Sequence, residues 1–339
     1  MKEFKGYMHG INLGGWFSQC DHSEKRYDYF VRKDDFSRIA RWGFDHVRIP
    51  VDYELILNRD LSKNQKGYER LNDCINWCAD NGLNMILDLH KTVGFSFDAG
   101  ENEEGFFENE KYQEIFYGIW KEFARVFGHH KNLSFELLNE VSDASYCQKW
   151  NQIIAKTVDV IREEAPTIDI IVGGYHNNSV KAIKDLDPPH DDHIIYNFHC
   201  YSPLVFTHQG AYWIPQMDRD FRTDFELDYS EYEKLTSQQI GKDFKDDFPK
   251  EGKMNADYFE WLFAEAIRIA EERNVPLYCG EYGVIDLADP EEILKWHTCV
   301  HKVFEKCHIG RAIWSYKEMD FGIVDAHFDP IRERLLEMK

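Results

Sequence analysis

The chain of 339 residues carries 61 Asp and Glu against 40 Lys and Arg, a formal charge of -21. A surface of that sign repels nucleic acid and anionic lipid, which excludes both as partners. No apolar stretch approaches a membrane span, and Met1-Lys-Glu-Phe-Lys-Gly-Tyr-Met-His has no apolar core followed by a cleavage site, so no export signal is expected in the chain as given. This leaves the compartment open between cytoplasmic and secreted with the signal removed.

Strand-length apolar runs recur along the chain at 8–13, 46–51, 84–90, 133–140, 168–174, 194–201, 276–283 and 312–317. Segments of helical period follow them at 34–42, 69–79, 112–127, 148–161, 258–272 and 291–305. The clearest is 112–127, where Ile115, Phe116, Ile119, Trp120, Phe123 and Ala124 form one stripe. Gly43 and Gly82 stand where left-handed helix caps are expected. Repeated βα units close most simply into one (β/α)8 barrel covering 1–339. The segment 202–256 is too long for a plain loop, and a small inserted subdomain over the active face is expected there. The eight cysteines are scattered and read as packing residues rather than as a disulfide framework.

In such a barrel the reactive groups sit at the C-terminal strand ends. The polar residues there are Arg48, His90, Asn139 with Glu140, His199 with Tyr201, Glu281, and Trp314 with Lys317. Glu140 and Glu281 each close an apolar run, and an ionised carboxylate at such a place needs a reason. Cleavage of a glycosidic bond requires two carboxyl groups, one to protonate the leaving oxygen and one as nucleophile or base. Arg48 and Tyr201 are suited to hold one of them ionised, and Asn139 to bond a sugar hydroxyl. Either Glu alone would be read as a salt-bridging residue, and Arg48 as the partner of Glu136. Asn139 and Glu140 cannot both face the axis of a regular strand, so a bulge or twist is required between them. No His-x-His or His-Glu-x-x-His spacing supports a metal, and no cofactor is expected.

The runs Gly10-Ile-Asn-Leu-Gly-Gly-Trp16, His46-Val-Arg-Ile-Pro50, Leu87-Asp-Leu-His90, Phe135-Glu-Leu-Leu-Asn-Glu140, Tyr196-Asn-Phe-His-Cys-Tyr201, Cys279-Gly-Glu-Tyr-Gly283 and Ile313-Trp-Ser-Tyr-Lys317 resemble glycoside hydrolase family 5. The clostridial endoglucanase branch is the most similar, through the stretch Asn197 to Gln209. The resemblance implies Glu140 as acid/base, Glu281 as nucleophile, and retention through a covalent glycosyl-enzyme without metal. It also puts Arg48, His90, Asn139, His199, Tyr201 and Trp314 at site positions, with Trp314 under the -1 sugar. Lys91 and Val141 depart from the family pattern, where His or Asn and Pro are usual. The expectation is an endo-β-1,4-glucanase acting as a monomer on β-glucan polysaccharide or oligosaccharide. The alternatives are an exo-β-1,3-glucosidase or a mannan-cutting relative. Phe206, Trp213 and Lys317 are added as expected substrate contacts, with Trp213 or Phe206 stacking on a sugar beyond the cleaved bond.

Overall fold

A computed structural model describes every residue except 99, 102, 243, 245, 246 and 339. Eight parallel strands close a barrel in sequence order, β1 to β8: His9–Asn12, His46–Asp52, Asn84–Lys91, Leu133–Glu136, Ile170–Gly173, Ile194–Cys200, Leu277–Tyr282 and Gly310–Ile313. The strands read as continuous apolar runs because both faces are covered, by helices outside and by packed side chains within. The main helices of the outer ring are Lys33–Arg41, Gln65–Asp80, Glu110–Phe127, Cys147–Glu164, Ala256–Glu272 and Pro290–Cys307. Each expected helix lies inside or within a residue of one of these. Gly43 and Gly82 both have positive φ, as expected of residues that end helices.

The strand ends differ more. The fourth run ends as a strand at Glu136, and the eighth at Ile313. Beyond Glu136 the chain stays buried but leaves the ladder: Leu137 N–H donates to Ile171 O at 3.2 Å and Asn139 N–H to Leu89 O at 3.2 Å. This irregular exit frees Asn139 and Glu140 from strand alternation. A second irregularity shifts the β6–β7 register between Phe198 and His199, so that His199 pairs with Glu281.

Inside the barrel the lower end is apolar. Ile86, Ile171, Ile195, Tyr278 and Ala312 point inward, and Phe4 and Tyr7 pack with them. Above lies a polar layer of Asn12, Arg48, Asp88, Glu136 and Asn197, all fully or nearly fully buried. The 202–256 segment carries a short helix Leu204–Thr207 and a longer one, Tyr229–Gln239, residues 243, 245 and 246 lying outside the described set. Its Phe206, Phe225, Tyr229, Tyr232 and Met254 join the barrel's main core. Its Ala211 and Ile214 pack instead with Ile285, Trp314 and Phe321 at the upper rim. All eight cysteines are free. Among the described residues no helix is long and apolar enough to cross a membrane.

Candidate active site

Arg48 is the hub. It projects from β2 with no exposed surface, and its Nε and Nη2 meet Glu136 at 2.6 and 2.9 Å as a two-point pair. Nη1 donates to Asn12 Oδ1 at 2.9 Å and to Glu281 Oε1 at 2.8 Å. Nη2 also reaches Asn139 Oδ1 at 2.9 Å and lies 3.0 Å from Asp88 Oδ2. Burial works against a charge here, but Asp88, Glu136 and Glu281 outweigh it and hold the guanidinium firmly protonated. Three carboxylates share this one cation, and Asp88, fully desolvated, is pushed up to about 7 despite it. The expected pairing of Arg48 with Glu136 and its support of Glu281 both occur in the same contact set. With all its donors directed to protein acceptors, however, Arg48 is not placed to touch a substrate.

Glu281, at the upper end of β7, is 5% exposed and receives Tyr201 Oη on its other oxygen at 2.9 Å. Glu140 is 8% exposed and faces it. His199 stands between them, its Nδ1 at 2.7 Å from Glu140 Oε1 and 3.6 Å from Glu281 Oε2. One atom of each of these three residues lies within 4.8 Å of the other two. The two carboxyls are held differently. Glu281 has the buried arginine on it, whereas desolvation pushes Glu140 up to about 7, opposed by an amide hydrogen bond from Asn177. Burial lowers His199 to about 4 and His90 to about 3, so both rings are neutral near pH 7.

His90 Nδ1 donates to Asp88 Oδ2 at 2.6 Å, which leaves Nε2 to accept from Asn139 at 3.3 Å. Its ring lies parallel to Trp314, centroids 6.1 Å apart. Trp314 reaches across to Gly14, where an added Cβ would come within 2.7 Å of the indole, so that position has to be glycine. Lys91 turns away from this network and bridges Glu54 and Glu101 at 2.5 and 2.7 Å, tying the chain after β3 to the chain after β2.

Two expected substrate contacts are not where they were placed. Phe206 has no exposed surface and packs on Phe225, because the helix Leu204–Thr207 turns it into the core. Lys317 donates to Phe30 O at 3.1 Å and lies over the Phe30 ring, away from the carboxylates. Trp213 is 41% exposed and sits edge-on to His208, which in turn contacts Tyr201. Two residues absent from the expected set reach the site from the chain after β5. Asn177 donates to Glu140 Oε2 at 2.9 Å, and Asn178 lies 3.3 Å from His199 Nε2. The sequence hint was the Gly173-Gly174 pair ending the fifth apolar run.

Glu140, His199 and Glu281 would also offer three ligand atoms to a cation, as would His22 from the chain between β1 and β2 together with Asp52 and Glu54 at the end of β2. In the first group Arg48 already sits 2.8 Å from Glu281, so a cation would meet a resident positive charge. In the second, Lys91 does the same for Glu54.

A closed βα barrel with two facing carboxyls at its upper mouth, one on a buried arginine and one desolvated, defines a glycoside hydrolase. Residues 8–320 match the cellulase family, glycosyl hydrolase family 5, and the chain belongs to it. It is similar to cellodextrinase A of Ruminococcus flavefaciens, 46% identical over 92% of this chain and 86% of the relative. It is also similar to endoglucanase C of Acetivibrio thermocellus, 34% identical over 97% and 96%. In fold it matches the crystal structure of a hyperthermophilic endo-β-1,4-glucanase in complex with substrate, at a TM-score of 0.78 and 24% identity, over 98% of this chain and 97% of that one.

Proposed function

We propose that the protein hydrolyses β-1,4-glucans with retention of configuration, Glu281 acting as nucleophile and Glu140 as acid/base. The observation that carries this reading is the short separation of the two carboxyls, within 4.8 Å between one oxygen of each. Retaining pairs stand roughly 5–5.5 Å apart, and inverting pairs roughly 6.5–9.5 Å, to admit a water. The electrostatics divide the roles in the same sense. A nucleophile must be ionised, and Glu281 holds Arg48 and Tyr201. An acid must keep its proton near neutrality, and Glu140 is pushed up to about 7 by burial. In the first step Glu281 attacks the anomeric carbon while Glu140 protonates the departing oxygen. In the second, Glu140 takes a proton from water as that water displaces Glu281. His90, Trp314 and Tyr201 surround the place where the reacting sugar would lie. Trp213 is proposed to stand beside the following sugar, as part of a wall formed by the 202–256 segment.

The likeness to a cellodextrinase and to endoglucanases supports cello-oligosaccharides and cellulose-type chains as the substrate class, with endo action. Exo-β-1,3 or mannan activity is the reading to be tested against it. A product profile on cello-oligosaccharides, barley β-glucan, laminarin and glucomannan decides the linkage. The roles are decided by variants. Glu281→Gln should remove nearly all activity, whereas Glu140→Ala should keep part of it on aryl glycosides whose leaving group needs no proton. Azide should rescue Glu281→Gly as an α-glycosyl azide; a β-azide from that variant would reverse the two roles. Exhaustive EDTA dialysis should leave the rate unchanged.

A further inference from the structure

The chain that leaves β5 makes an unusual turn beside Glu140. His176, Asn177 and Asn178 are consecutive and all lie in the left-handed region, with φ of 50, 54 and 53°. L-residues occupy this region rarely, Asn and His more readily than others, and almost always one at a time. Such conformations persist only where the surroundings impose them. Here the turn is fastened at both ends. At Gly173 an added Cβ would strike the Asn178 amide at 2.1 Å, so the glycine makes room for that side chain. At the far end Ser179 pairs with His199 of β6. In the middle, Asn177 N–H donates to Val141 O at 3.1 Å, gripping the residue next to Glu140.

We propose that this turn sets the orientation and protonation of Glu140, with Asn177 and Asn178 as positioning residues. Asn177 acts directly, its Nδ2 donating to Oε2 at 2.9 Å. Asn178 acts through His199. Its amide at 3.3 Å donates to Nε2, which keeps the ring proton on Nδ1, and Nδ1–H then donates to Glu140 Oε1 at 2.7 Å. Each carboxyl oxygen thus carries one fixed donor, so the carboxyl plane cannot rotate. Both donors favour the ionised form and oppose the effect of burial. The remaining ionisable groups around Glu140 are Glu281 from β7, Arg48 from β2, Asp88 and His90 from β3, and Tyr201 after β6. None of them bonds Oε2 among the described contacts.

The inference rests on Glu140 being the acid, and the experiment separates the two claims. The pH profile of kcat/KM is measured on a substrate with a poor leaving group, for the parent, Asn177→Gly, Asn177→Asp and Glu140→Gln. Glycine adopts the left-handed backbone freely, so Asn177→Gly removes the amide without strain. Its alkaline limb should move up by about one pH unit. Asn177→Asp, which places a second carboxylate against Glu140, should move it further. An unmoved or lowered limb in both, whatever happens to melting temperature, would overturn the proposal. So would an effect confined to KM, which would make Asn177 a substrate contact. If Glu140→Gln keeps the alkaline limb, it is the acid assignment itself that fails.

Discussion

At the residue scale, a buried carboxylate outside the proposed catalytic pair offers a test of how burial sets protonation. Asp52, at the end of β2, is 1% exposed; its Oδ2 accepts Gln19 N–H at 3.2 Å. Burial pushes it up to about 7. Its folded-state value lies above its unfolded one, so the neutral form favours folding. That contribution is complete below about pH 4 and is lost as pH rises through about 7. Asp52→Asn keeps an acceptor for Gln19 and never ionises. The unfolding free energy of this variant relative to the parent, followed by denaturant titration at each pH, should rise across that window and level off above it, by on the order of a few kcal/mol. A difference independent of pH would mean that the acid is ionised throughout. The residues named from sequence divide by the kind of information they carry. Glu140, Glu281, Arg48 and His199 were legible because polar groups at the ends of apolar runs stand out. The burial of Phe206 was not, since an aromatic in a loop reads alike whether it faces solvent or core. Asn177 and Asn178 lie in no periodic run; the Gly173-Gly174 pair hints at a turn there, and three-dimensional proximity makes them part of the site.

At the element scale, the eight strands were readable because each is buried on both faces, but their ends were not. The residues 137–140 and 314–316 remain buried after leaving the ladder, and hydrophobicity records burial rather than pairing. The segment 202–256 was readable as too long for a loop, whereas its packing against the barrel's main core required the structure. Its exposed Trp213 gives the proposed wall a test. Trp213→Ala should weaken turnover of long cello-oligosaccharides more than of short aryl glycosides, by roughly 1–3 kcal/mol in transition-state stabilisation. Phe206→Ala should instead lower stability and affect both substrates alike, as expected of a buried ring. Equal losses on long and short substrates from Trp213→Ala would confine that ring to packing on His208.

At the scale of the whole molecule, the charge of -21 acts on any substrate that approaches the cleft. A neutral cello-oligosaccharide feels none of it, whereas carboxymethyl cellulose is a polyanion and is repelled. Raising ionic strength from about 10 to about 150 mM should therefore raise kcat/KM on the carboxymethylated polymer and leave the neutral oligosaccharide unchanged. A parallel response of both substrates would point to the fold rather than to encounter.

The contacts of Arg48 have a consequence for how this barrel can change over generations. Its guanidinium joins β2 to Asn12 of β1, Asp88 of β3, Glu136 of β4 and Glu281 of β7. Removing one side of so buried a set leaves uncompensated charge, at a cost of roughly 3–5 kcal/mol, a large share of what holds a typical domain folded. Losing this arginine would therefore cost the protein stability and not turnover alone. Glu140 is bound to fewer groups and stands nearer the surface. With Glu140 as the proposed acid, a lineage drifting from cutting sugars to merely gripping them is expected to shed Glu140 early and to keep Arg48 longer.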